Sequence, residues 1–185
     1  MRTKDQDKQQ RIKDAMVKLI LRDGIDGTSV AKIAREAGVS PATIYVYYPN
    51  KEAMMVEVFR EYSASPYRYL MQKIGPDMDG GLLIETIVRG CYSFSREHEG
   101  IFSFVEQCSR CPSLSEKVSE EECLCDILDI IHEYQRRGVL RTYSDWNIGA
   151  VLFAPVRFLA VNHCETNEEE CLNELIHMLQ GLLLK

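Results

Sequence analysis

The sequence predicts an all-α fold of about nine helices. Apolar residues recur at helical spacing along almost the whole chain, and Ser, Thr, Asn, Gly and Pro stand where helices start and stop. Strand signals are nearly absent: no Asn-Gly turn joins alternating runs, and the Asp-Gly pairs fall at helix boundaries or in a loop.

The elements follow in order. In "RIKDAMVKLILRDG", Ile12, Ala15, Met16, Leu19 and Ile20 form one buried face, and Gly24 or Gly27 ends that helix. Ser29 caps a second helix with Val30, Ile33, Ala34 and Ala37 on its apolar side, and Gly38 closes it. Ser40 caps a third. Pro41 takes its first position, where a missing N–H costs nothing, and Pro49 stops it before Asn50 caps a fourth. Longer helices follow, with breaks expected at Ser65-Pro66, "GPDMDGG" (75–81), Gly100, "CPSLS" (111–115), Gly138 and "CETN" (164–167). Thr166 with Glu169 forms a capping-box pattern for the last helix, whose stripe is Leu172, Leu175, Ile176, Leu179, Leu182 and Leu183.

The net charge is −6 over 185 residues, which by itself argues against a general nucleic-acid or membrane-surface binder. The charge is uneven. Residues 1–51 hold ten Lys/Arg and six Asp/Glu, leaving twelve and twenty-two for residues 52–185. A basic segment on an acidic body implies two jobs and two domains, 1–51 and 52–185. The polar start "MRTKDQDKQQ" has no apolar signal region, and seven cysteines is an odd count. A cytoplasmic protein with reduced thiols is expected. Ile148–Val161 is the most apolar helix, contains Pro155 and Arg157, and is too short for a membrane span of about 20 residues.

Function concentrates in "GVSPATIYVYYPNKE", Gly38 to Glu52. Ala34, Gly38 and Ile44 have the spacing that two short helices joined by a tight turn require. Ala34 allows close approach, Gly38 adopts the left-handed turn, and Ile44 plugs the contact. Such a helix-turn-helix places its second helix in a DNA major groove. The stretch "TSVAKIAREAGVSPATIYVYYPNKEAM" resembles the DNA-binding signature of the tetracycline-repressor (TetR/AcrR) family over residues 28–54, and the first helix fits ahead of it. The resemblance implies a dimeric repressor with three N-terminal DNA-binding helices and a larger body that binds effectors and dimerises. The expected contacts with operator DNA are Thr28, Ser29, Ser40, Pro41, Ala42, Thr43, Tyr45, Val46, Tyr47 and Lys51. Among these Thr43, Tyr45, Val46 and Ala42 face base edges or thymine methyls. By resemblance Tyr47 and Lys51, with Thr28 and Ser29, hold phosphates. Ile44 and Tyr48 pack inward.

In the body, Tyr62, Tyr67, Tyr92, Phe94, Phe102, Phe104, Phe153 and Met178 are candidates to line a pocket for a small-molecule effector. Val151, Leu152, Phe158, Leu172, Leu175 and Leu179 are candidates for a homodimer interface. Cys108, Cys111, Cys123 and Cys125, with His163, Cys164, Cys171 and His177, admit a thiol or soft-metal sensor; the plainer reading is that they are small buried hydrophobes. The second pair is C-x-C rather than C-x-x-C, so no metal site is assigned. No Ser-His-Asp order, phosphate loop or H-E-x-x-H motif occurs, and neither catalysis nor a cofactor is expected.

Overall fold

The computed structural model describes residues 4–118, 120–162 and 167–185. Eleven helices lie among them. In chain order these are α1 (Lys4–Gly27), α2 (Val30–Ala37), α3 (Pro41–Tyr47), α4 (Lys51–Ser63), α5 (Ser65–Met71) and α6 (Gly80–Glu97). Then come α7 (Glu99–Ser109), α8 (Pro112–Ser115), α9 (Glu120–Arg136), α10 (Asp145–Asn162) and α11 (Glu168–Leu183). The all-α prediction agrees with this architecture. The expected break at 111–115 is instead the one-turn helix α8, with Cys111 at its N-cap and Pro112 in its first turn.

Local chemistry explains the boundaries. Gly24 sits at φ 77°, ψ 172° inside α1, so the straight helix ends there and one further turn carries the chain to Gly27. Asp79 accepts from the Leu82 N–H at 2.7 Å and starts α6. α10 runs on through Pro155. Asn167 caps α11 by accepting from the Glu169 N–H at 3.2 Å; Thr166, given that role above, lies outside the described residues.

The chain divides into two compact units. The first comprises residues 1–63 with 99–120. In it α7 packs on α1 and α4, and α8 on α7 and α4. Its core collects Ile12, Met16, Leu19 and Ile20 from α1, Ile33 and Ala34 from α2, Ile44 and Tyr48, then Met54 and Val58, Phe104 and Cys108. The second comprises residues 64–98 with 121–185. Here α6 is central, flanked by α5, α10 and α11. A methyl group at Gly90 would lie 2.4 Å from Leu70 Cδ2, so glycine is what lets α5 lie so close on α6. The chain end is tied in by the Arg141 N–H donating to the Leu183 carbonyl at 2.8 Å and the Lys185 N–H to the Val139 carbonyl at 3.2 Å. The compact units thus cut the chain elsewhere than the expected functional boundary at residue 51: α4, α7 and α8 join the N-terminal helices. Among the described residues no helix is long and apolar enough to cross a membrane.

Candidate nucleic-acid interface

The turn between α2 and α3 is built from capping chemistry. Ser29 Oγ accepts from the Lys32 N–H at 3.3 Å and starts α2. Gly38, at φ 67°, ends it, with the Val39 N–H donating to the Ala34 carbonyl at 2.9 Å. Two residues on, Ser40 Oγ accepts from the Thr43 N–H at 3.1 Å and α3 begins, with Pro41 in its first turn. α3 has only seven residues, too few to be stable alone. Ile44, 1% exposed, and Tyr48, also buried, anchor it to the core of the first unit.

The opposite face is open. Tyr45 is 55% exposed and Val46 79%, and Pro41 and Ala42 are exposed beside them. These four residues lie one and four apart, so they share one side of the helix. Apolar side chains left so exposed to water are the feature of α3 that packing does not explain. The Thr43 hydroxyl is 2.9 Å from Ser40 Oγ, so both stand at the N-terminus of α3 within one hydrogen-bonded pair.

The flanking residues divide differently from expectation. Thr28 is 2% exposed, and its hydroxyl donates to the Gly24 carbonyl at 2.8 Å; it staples the end of α1 and offers nothing to a phosphate. Ser29 is exposed but already serves as a cap. Lys51 Nζ donates to the Ile25 carbonyl at 2.7 Å and the Thr28 carbonyl at 2.6 Å, so α4 is tied to the α1–α2 turn through an ammonium with one donor left. The Tyr47 hydroxyl donates to the Asp5 carboxylate, and that hydrogen bond holds the phenol above its ordinary pKa. Sequence reasoning missed Asp5. Its only signal was acidity in the first turn of a helix, which macrodipole chemistry explains equally well. Tyr48 lies in a buried site near Glu57 and Glu61; desolvation first, then those charges, push its pKa upward, and it stays neutral.

The remaining candidates scatter. Tyr62 and Phe104 stack edge-on at 5.9 Å inside the first unit, to which Phe102 also belongs. Tyr67 and Phe153 stack at 5.4 Å in the second unit, where Tyr92 and Phe94 are buried. Met178 is 63% exposed. The eight therefore do not line one cavity within one unit. Of the interface candidates, Leu152, Leu172 and Leu179 are core residues of the second unit, and Val151 is half-buried. Phe158, at 66% exposure, and half-buried Leu175 instead border a shallow depression with Pro155, Leu159, Cys171 and Met178. Exposed Trp146, Ala150, Ala154 and Phe158 recur every four residues along α10, a stripe the spacing alone could have revealed. Cys91, Cys108, Cys111 and Cys125 are free thiols, as expected, but Cys171 is disulfide-bonded, which corrects the all-reduced reading. His163 and Cys164 lie outside the described residues, as does the side chain of Cys123. Among the described residues no group of three or more His, Cys, Asp or Glu side chains could hold a metal ion.

The comparisons agree with this geometry. Residues 12–58 match the family model described as bacterial regulatory proteins, tetR family. A fatty acid metabolism regulator protein of Bacillus subtilis is 43% identical over 54 residues, 29% of this chain and 28% of that one. An uncharacterised helix-turn-helix transcriptional regulator of Haemophilus influenzae is 25% identical over 150 residues, 78% of this chain and 77% of that one. The chain thus spans little more than a quarter of the first of these relatives. Among solved structures, a TetR-family transcriptional regulator from Haemophilus influenzae covers the whole of both chains at a TM-score of 0.83 and 20% identity. The regulator FadR from Bacillus subtilis, solved with stearoyl-CoA, gives 0.73 at 20% identity over 92% of this chain and 96% of that one. Residues 12–58 thus carry the signature of the tetR family of bacterial regulatory proteins, and the fold over the whole length is that of solved TetR-family regulators.

Proposed function

We propose that the chain is a DNA-binding transcriptional regulator, a ligand-responsive repressor that grips a palindromic operator as a homodimer in the cytoplasm. The observation that carries this reading is the exposed apolar and phenolic face of α3, Pro41, Ala42, Tyr45 and Val46, held outward by buried Ile44 and Tyr48. Tyr45 meets base edges and Val46 and Ala42 meet thymine methyls, while Tyr47, Ser40 and the third donor of Lys51 position the helix on phosphates. Two copies related by a two-fold axis match two operator half-sites. The copies join through the exposed side of α10 and α11, where Phe158, Leu175, Met178 and Leu182 form an apolar face.

The trigger is an organic ligand held in the second unit, whose Tyr67, Tyr92, Phe94 and Phe153 supply aromatic surface. Its binding shifts the regulator to a form with weaker operator affinity, and a coupling of about 1–3 kcal/mol suffices. No chemistry is performed. Selection of operators from random DNA, followed by titration on the selected and scrambled sequences, tests the reading. Recovery of a palindrome whose affinity depends on Tyr45 supports it; recovery of no preferred sequence refutes it. A ligand screen for loss of operator binding then identifies the trigger, and stoichiometric bound zinc would overturn the organic-ligand reading.

A further inference from the structure

Cys108 and Cys111 form the one C-x-x-C of the sequence, and the structure gives the pair a geometry that spacing did not reveal. The Cys111 N–H donates to the Cys108 carbonyl at 3.0 Å, closing a turn between α7 and α8. Such a turn brings its first and fourth α-carbons within about 7 Å, and disulfides span about 4.4–6.8 Å between α-carbons. Cys108 is fully buried in the core of the first unit, and Cys111 is half-buried against the same core. Cys111 Sγ lies 3.3 Å from Ser113 Oγ at the partly open end of the turn. One thiol is reachable and its neighbour is sealed in, which is the arrangement of an entry cysteine and a resolving cysteine.

We propose that Cys108 and Cys111 are a modification site, an oxidisable dithiol that a hydroperoxide converts to a disulfide and that thereby loosens the DNA-binding unit. The chemistry balances in two steps. The Cys111 sulfur attacks a peroxide oxygen, the O–O bond breaks, an alcohol or water leaves, and Cys111 becomes a sulfenic acid. The Cys108 sulfur then attacks the Cys111 sulfur; the S–S bond forms, the S–O bond breaks, and the hydroxide leaves as water with the Cys108 proton. Two electrons pass from the two thiols to the peroxide. Burial, and secondarily the neighbouring Cys111, push the Cys108 thiol up to about 12, so it is inert towards solvent oxidants and the reaction must enter at Cys111. Closure is intramolecular within one turn, which offsets the small thiolate fraction. Among the described residues no third ligand-type side chain joins the pair, which favours covalent closure over metal binding.

The consequence follows from packing. Cys108 shares the core with Phe104, Leu114 and Val118. Drawing its sulfur towards Cys111 removes it from that core, where α7 is seated on α1 and α4, and α8 on α4. The helices that carry the helix-turn-helix lose support.

The effect on DNA rests on the proposed function; the chemistry does not, so the test has two readouts. Full-length protein, reduced beforehand, is treated with limiting hydrogen peroxide and digested with trypsin. Trypsin cuts after Arg110, between the two cysteines, so a Cys108–Cys111 disulfide appears as two peptides joined until a reductant separates them. Joined peptides that appear ahead of any other cysteine oxidation, vanish in Cys111→Ser, and give way to a trappable Cys111 sulfenic acid in Cys108→Ser are expected. Cys111 oxidised to sulfinic acid without the link, or cross-linked chiefly to another cysteine, would overturn the site. Operator affinity of the cross-linked protein should fall about tenfold, within the usual range for coupled sites, and recover on reduction; unchanged affinity would overturn the switch. Failure to find any operator would condemn the DNA-binding reading alone, because the peptide readout still decides the dithiol.

Discussion

Ile44→Ala separates the two faces of α3 more cleanly than any other substitution. The side chain is buried and, with Tyr48, is what holds a seven-residue helix to the core. Truncation removes three carbons; at about 0.8 kcal/mol per buried methylene the transfer loss is about 2.4 kcal/mol. The cavity left behind adds to it, and Ile→Ala in cores costs about 2–5 kcal/mol, so about 3 kcal/mol is expected. Val46→Ala, on the exposed face, should change stability by less than about 0.5 kcal/mol. The single tryptophan, Trp146, belongs to the second unit, so its fluorescence would miss the event. Urea titration followed by far-ultraviolet dichroism, with amide exchange over residues 33–48, reads it directly. Ile44→Ala should also lose operator and scrambled DNA alike, whereas Tyr45→Ala should lose about 1–3 kcal/mol on the operator and less on mismatched sites. If Ile44→Ala unfolds at the wild-type midpoint while Val46→Ala does not, α3 is turned the other way and the groove-facing set is wrong.

Lys51→Ala should lower unfolding free energy by about 1–2 kcal/mol, because an ammonium bonded to two carbonyls is removed; it should also weaken all DNA sequences equally and reduce the salt slope by about one. Equal stability with altered sequence preference would refute both roles. Phe158→Glu should yield folded monomers in sedimentation, whereas Leu179→Glu, in the core, should yield misfolded protein; a dimeric Phe158→Glu places the interface elsewhere. Asp23, held by Arg22 and secondarily Lys32, has its pKa lowered to about 2. Its contribution to folding is therefore complete above the ordinary carboxylate value and is lost as pH falls towards 2. An Asp23 carboxyl titrating near 4 by NMR would show that the pair does not persist in solution.

The helix-turn-helix was legible because its determinants are local. Ser29, Gly38 and Ser40 act through bonds to residues three or four away, so the sequence displays both partners, and Pro41 acts through its own fixed backbone angle. Ile44 and Tyr48 were placed inward by the same periodicity that placed Ala34. The contacts of Thr28 and Lys51 were not legible, because their partners are backbone carbonyls, which every residue carries and no sequence motif marks. Asp5 meets Tyr47 across 42 positions, a pairing that only the fold creates. The aromatic candidates divide between the two units for a related reason. Composition identifies residues that avoid water, but α4 and α7 carry Tyr62 and Phe104 into one unit, while α5 and α10 carry Tyr67 and Phe153 into the other. On α11, Leu172 and Leu179 proved to be core and Met178 surface because one stripe served two faces, and the assignment depended on where α6 lies.

The charge of the N-terminal segment acquires a different meaning once its partners are known. Ten cations within 51 residues suggest an electrostatic grip on DNA. Lys13 is paired with Glu61, Lys18 with Glu36, and Arg22 and Lys32 share Asp23. Lys51 is engaged by carbonyls. Half of the ten cations therefore work inside the protein, fixing α1 against α2 and α4. Exposed pairs contribute little stability each, but they leave fewer unpaired charges to release counterions from DNA. In the proposed complex with DNA, affinity would come from fit: a short helix whose first turn carries Pro41 and Ala42, small enough for the backbone to approach the groove, with Tyr45 and Val46 exposed further along it. On this proposal the substitutions with the largest effect on discrimination are expected on four uncharged residues rather than on the lysines of an acidic chain.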